Sequence, residues 1–78
     1  GKYDRLLAHI LQGGGCANVR FDDLCRLLTL PGFRMRTRGS HHIFTRDDVE
    51  ERMNLQRDGN KAKLYQVRQV RTILRRYR

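Results

Sequence analysis

Two adjacent histidines, His41 and His42, are the residues of this chain whose type and neighbours best suit proton-transfer chemistry. They follow the turn-forming pair Gly39-Ser40, shortly after arginines at positions 34, 36 and 38. The histidine side chain, as a type, titrates near about pH 6.5, so it can give or take a proton in neutral solution. Arginines close by could hold an anionic backbone beside it. This segment is therefore a candidate site for proton transfer on a phosphodiester.

The two histidines cannot both face the same way in a strand. Successive strand residues point to opposite faces of a sheet, so at most one histidine shares a face with the arginines. If Phe44 packs inward with His42, then His41 faces outward, but Ile43 and Phe44 are both apolar and the pattern leaves this open. A plainer interpretation makes both histidines ordinary strand residues, one half-buried and one exposed. The arginines and the Gly-Ser turn favour a functional role for one of these histidines over this plainer interpretation.

Other chemistries find less support in the sequence. No glycine-rich phosphate loop followed by Lys and Ser or Thr is present, so the glycines at 13–15 indicate a linker. Cys16, Cys25 and the two histidines match no usual zinc spacing, and we expect neither a metal nor a cofactor. Cys25 falls on the apolar face of a predicted helix, and nothing brings Cys16 near the histidines. Both cysteines are therefore expected to be structural.

The chain is short and strongly basic. Its 78 residues carry 17 Lys plus Arg against 8 Asp plus Glu, a formal net charge of +9. This length predicts one domain, over residues 1–78, with a thin core and a shallow surface site, and the charge predicts polyanionic partners. There is no Cys-x-x-Cys pair and no apolar run long enough for a signal peptide or a membrane span. We therefore expect a reduced, cytoplasmic protein without membrane contact.

Hydrophobic periodicity predicts three helices and three strands. Helical spacing predicts a helix that begins near Tyr3 and ends at the three glycines, and another over residues 21–30. A period of two predicts strands over 33–38, 41–45 and 52–56, the first half-buried with a cationic outer face. A helix over about 62–76 closes the chain, with arginines at 68, 71, 75 and 78 beside its apolar face. The order predicts a two-layer α+β fold in which helices cover one face of a three-stranded antiparallel sheet.

Several segments together resemble a known family. A Leu-rich helix, Gly32-Phe33, the run Arg38-Gly39-Ser40-His41-His42-Ile43-Phe44 and a basic last helix resemble the HicA-like toxins, also called the YcfA-like family, of bacterial type II toxin–antitoxin pairs. The similarity covers nearly the whole chain, and residues 54–56 and 63–71 resemble one branch of the family. The resemblance implies a fold like a double-stranded RNA-binding domain and metal-independent cleavage of mRNA. It also implies a catalytic histidine after Gly-Ser, here His41, and a HicB-like antitoxin that covers the site.

One segment departs from the family pattern. Many relatives carry a motif with His or Pro before the last helix, whereas residues 57–61 of this chain read Arg-Asp-Gly-Asn-Lys. No second catalytic residue is therefore carried across.

The leading hypothesis is a metal-independent endoribonuclease in which neutral His41 takes a proton from, or orients, a ribose 2′-hydroxyl. Arg38, with Arg36, Lys61 or Lys63, would stabilise the charge that builds on phosphorus. The expected RNA contacts are Arg36, Arg38, Ser40, His42, Lys61, Lys63 and Arg68. Two alternatives stay open: a non-catalytic RNA-binding module of the same fold, and a protein-interaction domain whose basic surface matches an acidic antitoxin.

Overall fold

The first two helices take their bounds from apolar spacing and from the turns that end it. In the computed structural model, which describes residues 1–14 and 17–77, α1 spans Lys2–Leu11 and α2 spans Phe21–Leu27. Helix α1 ends before Gly13, whose φ of +98° favours glycine. The prediction for the second helix ran three residues too far. Residues 28–32 form turns, in which the Thr29 hydroxyl donates to the Arg26 carbonyl oxygen at 2.6 Å.

Three antiparallel strands form the sheet. Strand β1 is Arg34–Arg38, β2 is His41–Thr45 and β3 is Met53–Leu55, in the order β1-β2-β3. The prediction of an α+β fold with a three-stranded antiparallel sheet and three helices is thereby confirmed.

A small second hairpin was not predicted. Strands β4, Arg57–Asp58, and β5, Lys61–Ala62, pair across a turn at Gly59-Asn60. The hairpin is tied to the start of α2, because the Phe21 amide donates to the Asn60 carbonyl oxygen at 3.0 Å. Ala62 therefore belongs to β5, and α3 spans Leu64–Arg76, beginning two residues later than predicted.

The core lies between the inner face of the sheet and the three helices. Phe44, Met53 and Leu55 of the sheet are fully buried, and they belong to one cluster with apolar side chains of all three helices. The helical members of this cluster are Ile10, Phe21, Leu24, Leu27, Val67, Val70, Ile73 and Leu74. No helix within residues 1–14 and 17–77 is long and apolar enough to cross a membrane.

Strand β1 departs from its prediction. All five of its residues are exposed, including Met35, which faces the helical side of the sheet and is still 50 % exposed. The expected half-burial is wrong because the helices cover the inner face of β2 and β3 but not that of β1. Within residues 33–38, burial is confined to Phe33, directly before β1.

Candidate active site on the outer sheet face

A tight turn places Arg38 beside His41. Gly39 has a φ of +59°, while Ser40 keeps a negative φ, a combination that matches the type II′ turn favoured in two-residue hairpins. The turn makes Arg38 and His41 direct partners across β1 and β2. Directly opposed residues lie on the same face of a sheet, so the guanidinium and the imidazole share one surface.

That surface, which we call the outer face, is the side of the sheet turned away from the helices. The register places Arg36 opposite Ile43, and Ile43 opposite Asn54. Arg34 lies opposite Thr45, and Arg52 precedes β3 at the same end of the sheet. An open concavity of about 550 Å³ lies on this face beside His41 and Asn54, which do not line it. Its lining consists of the arginines of the face with Ile43, Thr45, Thr37 and Asp47. The members of the outer face are Arg34, Arg36, Arg38, His41, Ile43, Thr45, Arg52 and Asn54.

His41 is exposed and is held by one neighbour. Its Nδ1 lies 3.0 Å from Oδ1 of Asn54 on β3. An amide oxygen only accepts hydrogen bonds, so this contact matches the tautomer protonated on Nδ1, in which Nε2 of a neutral ring is an acceptor. Asn54 was missing from the predicted site residues. The alternation of Met53 and Leu55 with polar neighbours did place it on the outward side of the third strand.

His42 lies on the opposite face. It pairs with Leu55, and its ring meets the ring of Phe21 edge-on, with centroids 4.9 Å apart. Its Nδ1 is buried, with no hydrogen-bond partner among the described residues. The question that the sequence left open is therefore decided: His42 packs inward with Phe44, and His41 faces outward.

The arginines of the sheet are the cations best placed to meet an anion beside His41. Arg34 is paired with Asp47, at 2.5 Å between Nη2 and Oδ1. Within the described part of the chain, no hydrogen bond or ion pair engages the guanidinium groups of Arg36, Arg38 or Arg52. These three stay available to a ligand.

The other predicted contacts are scattered. Ser40 lies in the turn beside His41, where its hydroxyl accepts a hydrogen bond from Nε2 of Gln56 at 3.1 Å. Lys61, on β5, donates to Oδ1 of Asn18 at 3.1 Å, and Lys63 is the residue that precedes α3. Arg68 is exposed on α3, in the helical layer. The structure thus brings Arg36, Arg38, Ser40 and His41 together, while the two lysines and Arg68 lie on other elements.

The basic side of α3 is largely engaged inside the protein. Nε of Arg71 donates to the Ile10 carbonyl oxygen at 3.1 Å, and Nε of Arg75 donates to the Leu11 carbonyl oxygen at 2.8 Å. Arg76 forms an ion pair with Glu51, and Arg78 of the predicted stripe lies outside the described residues. Carbonyl groups at a helix C-terminus lack intrahelical donors, so Arg71 and Arg75 complete the last turn of α1.

The thiol of Cys25 is not activated as a nucleophile. Burial, reinforced by the nearby Asp22 carboxylate, raises the pKa of the Cys25 thiol to about 11. It stays protonated near neutral pH and is a poor nucleophile, which agrees with a structural role. Cys16 lies outside the described residues. Among residues 1–14 and 17–77, no cluster of three or more His, Cys, Asp or Glu could hold a metal ion.

Comparisons with protein-family models, with curated proteins and with solved structures find no match to this chain.

Proposed function

We propose that this protein is the toxin of a type II toxin–antitoxin pair, similar to the HicA-like family, and that it cleaves mRNA without a metal ion. The observation that carries the proposal is the pairing of Arg38 with His41 on an exposed face. A proton acceptor and a cation lie side by side there, where an extended polyanion can reach both. The net charge of +9 favours the approach of such a chain.

The chemistry follows from the free nitrogen of His41. Nε2 takes the proton of a ribose 2′-hydroxyl while the 2′-oxygen attacks the adjacent phosphorus. The bond from phosphorus to the 5′-oxygen breaks, and that oxygen takes a proton from water. The products are a 2′,3′-cyclic phosphate and a 5′-hydroxyl. Arg38, with Arg36 along the same strand, stabilises the negative charge that builds on the phosphoryl oxygens.

The proposed protein partner is a HicB-like antitoxin that covers this face. An acidic surface would be attracted by the same guanidinium groups that attract phosphate. RNA and the antitoxin would then exclude each other from the outer face.

The test compares wild type, His41→Ala and His42→Ala on single-stranded and structured RNA in excess chelator. General acid–base catalysis contributes roughly 10²- to 10⁴-fold, so His41→Ala should lose about that much of the cleavage rate. His42→Ala is the comparison, since it removes the same side chain from the inner face, and its unfolding is measured alongside because His42 packs on Phe21. Full cleavage by His41→Ala, or cleavage by wild type that stops in chelator, would refute the proposal.

A non-catalytic RNA-binding module of the same fold is the second candidate. The observation that favours it is the open shape of the outer face, which carries a single histidine and no assigned second acid–base group. Such a module would bind RNA with strong salt dependence and release no products after long incubation. Product formation that depends on His41 would exclude it.

A further inference from the structure

One edge of the backbone of β1 has no partner strand among residues 1–14 and 17–77. In a two-residue hairpin the residues that flank the turn, here Arg38 and His41, exchange backbone hydrogen bonds. Alternate residues of β1 then behave alike, so Arg34, Arg36 and Arg38 direct their N–H and C=O groups toward β2. Those of Met35 and Thr37 point away from β2, and β1 is the last strand of the sheet on that side.

Neither face of β1 is covered. On the inner face, Met35 of β1 lies directly opposite Phe44 of β2. Phe44 is fully buried, whereas Met35 is 50 % exposed. The helices cover the inner face of β2 and β3 but do not extend over β1. An added strand would pair with the backbone of Met35 and Thr37 and would remove the Met35 side chain from water.

Charge selects the kind of strand that can bind. Three arginines, at every second position of β1, lie along the outer face. A second copy of this chain would place its own three arginines beside them, and like charges on neighbouring strands oppose pairing. An acidic segment would gain from the same arrangement, because Arg36 and Arg38 have no intramolecular ion pair within the described residues.

We propose that the edge of β1 binds an extended acidic segment of another protein by strand addition. The segment would carry Asp or Glu at every second position, beside the three arginines, and apolar residues between them, beside Met35 and Thr37. Main-chain hydrogen bonds supply affinity in this mode, and alternate side chains supply specificity. The proposal does not depend on ribonuclease activity.

The experiment uses the full chain and a peptide that alternates Glu and Val. Binding is followed by calorimetry, and amide hydrogen exchange is followed by NMR. At a free peptide concentration of about 100 times Kd, exchange of the Met35 and Thr37 amides should slow roughly 100-fold. The backbone amide of Asn54 is the internal control for hydrogen exchange. Leu55 and Met53 pair with β2, so Asn54 faces the other edge of the sheet and its exchange should not change.

Two matched ligands separate strand addition from simple charge attraction. A peptide of the same composition, with Glu and Val in separate blocks, should bind at least about 10-fold more weakly, a difference of about 1.4 kcal/mol. Arg36→Glu should weaken the alternating Glu peptide by a similar factor and strengthen a peptide that alternates Lys and Val. No binding at about millimolar peptide, equal binding of the block peptide, or binding without protection of Met35 and Thr37 would each overturn the proposal.

Discussion

The hydrogen bond between His41 and Asn54 determines which nitrogen of the imidazole is available to a substrate. Asn54 Oδ1 lies 3.0 Å from Nδ1, which favours the tautomer protonated on that nitrogen, and a neutral ring in this form presents Nε2 as a base. In the proposed reaction Asn54 would therefore be a positioning residue, because it touches His41 and would select the reactive form of the ring without reaching the RNA.

Substitutions at Asn54 should separate tautomer selection from structural support. Asn54→Leu removes a hydrogen bond with a net value of about 0.5–1.5 kcal/mol, so the cleavage rate should fall roughly 2- to 10-fold. Asn54→Asp should move the acidic limb of the pH–rate profile to higher pH, because a carboxylate favours the charged imidazolium. Nitrogen NMR of the His41 ring reads the tautomer directly. An unchanged tautomer in Asn54→Leu would contradict this role.

At this scale the alternation of the sequence indicated the segment but not the side chain, and only the family resemblance pointed to His41. His41 and His42 were equivalent by alternation, because Ile43 and Phe44 are both apolar. The choice depends on the pairing of β2 with β3 and on the ring of Phe21, which is distant in sequence. The contact between His41 and Asn54 spans 13 residues and leaves no local pattern.

At the scale of elements, the arginines of α3 and those of β1 have different roles. Arg75 completes the C-terminus of α1 through the Leu11 carbonyl oxygen. Arg36 lies on the exposed strand, and no described residue forms an ion pair with it. In the sequence, Arg36 and Arg75 are both basic residues near apolar ones. Their different roles become visible only when α1 and α3 are packed together.

A pair of neutralising substitutions should reveal this division. Arg75→Gln should lower the free energy of unfolding by about 1 kcal/mol, as expected for an exposed charged hydrogen bond, and should leave RNA affinity nearly unchanged. Arg36→Gln should change stability by less than about 0.5 kcal/mol and reduce the slope of log K for RNA against log salt by about 0.7. Urea titration and binding at several salt concentrations measure the two effects. The reverse pattern would refute the assignment.

Regular elements were the predictable part of the fold. Apolar spacing located α1, β2 and α3 well, because each has one face buried in the same core. The hairpin of β4 and β5 was missed because each strand has two residues, too few to show a period. Its backbone contacts are with the residues at and just before the start of α2, as in the hydrogen bond from the Ala62 amide to the Val19 carbonyl oxygen, and these are distant in sequence.

At the scale of the whole molecule, acidic residues help to join the layers. Tyr77 donates from its hydroxyl to Glu51 Oε1 at 2.7 Å, and this hydrogen bond holds the pKa of Glu51 below its ordinary value of 4.5. A hydrogen bond from Arg46 likewise lowers the pKa of Asp48. Arg46 also donates to the Pro31 and Tyr77 carbonyl oxygens, so it links the turn after α2 to the end of α3.

These lowered pKa values predict a loss of stability in acid. The unfolded chain binds protons near its ordinary carboxyl pKa, while folded Glu51 and Asp48 bind them only at lower pH, so their stabilisation is lost as pH falls through the folded values. Urea unfolding between about pH 7 and about pH 3 should show this decline, and it should be shallower in Glu51→Gln. Glu50→Gln removes the same charge from an exposed neighbour and is the control. An identical decline in Glu51→Gln and wild type would contradict the account.

The most direct test of the central claim is the chemical nature of the RNA ends that the wild-type protein produces in excess chelator. If His41 activates the 2′-hydroxyl on the outer face, mass spectrometry should find a 2′,3′-cyclic phosphate, or the monophosphate formed when it opens, on one product. The other product should carry a 5′-hydroxyl. An RNA with a single 2′-deoxy sugar should resist cleavage at the bond that follows that sugar. Products with a 3′-hydroxyl and a 5′-phosphate, or cleavage after the deoxy sugar, would contradict the account.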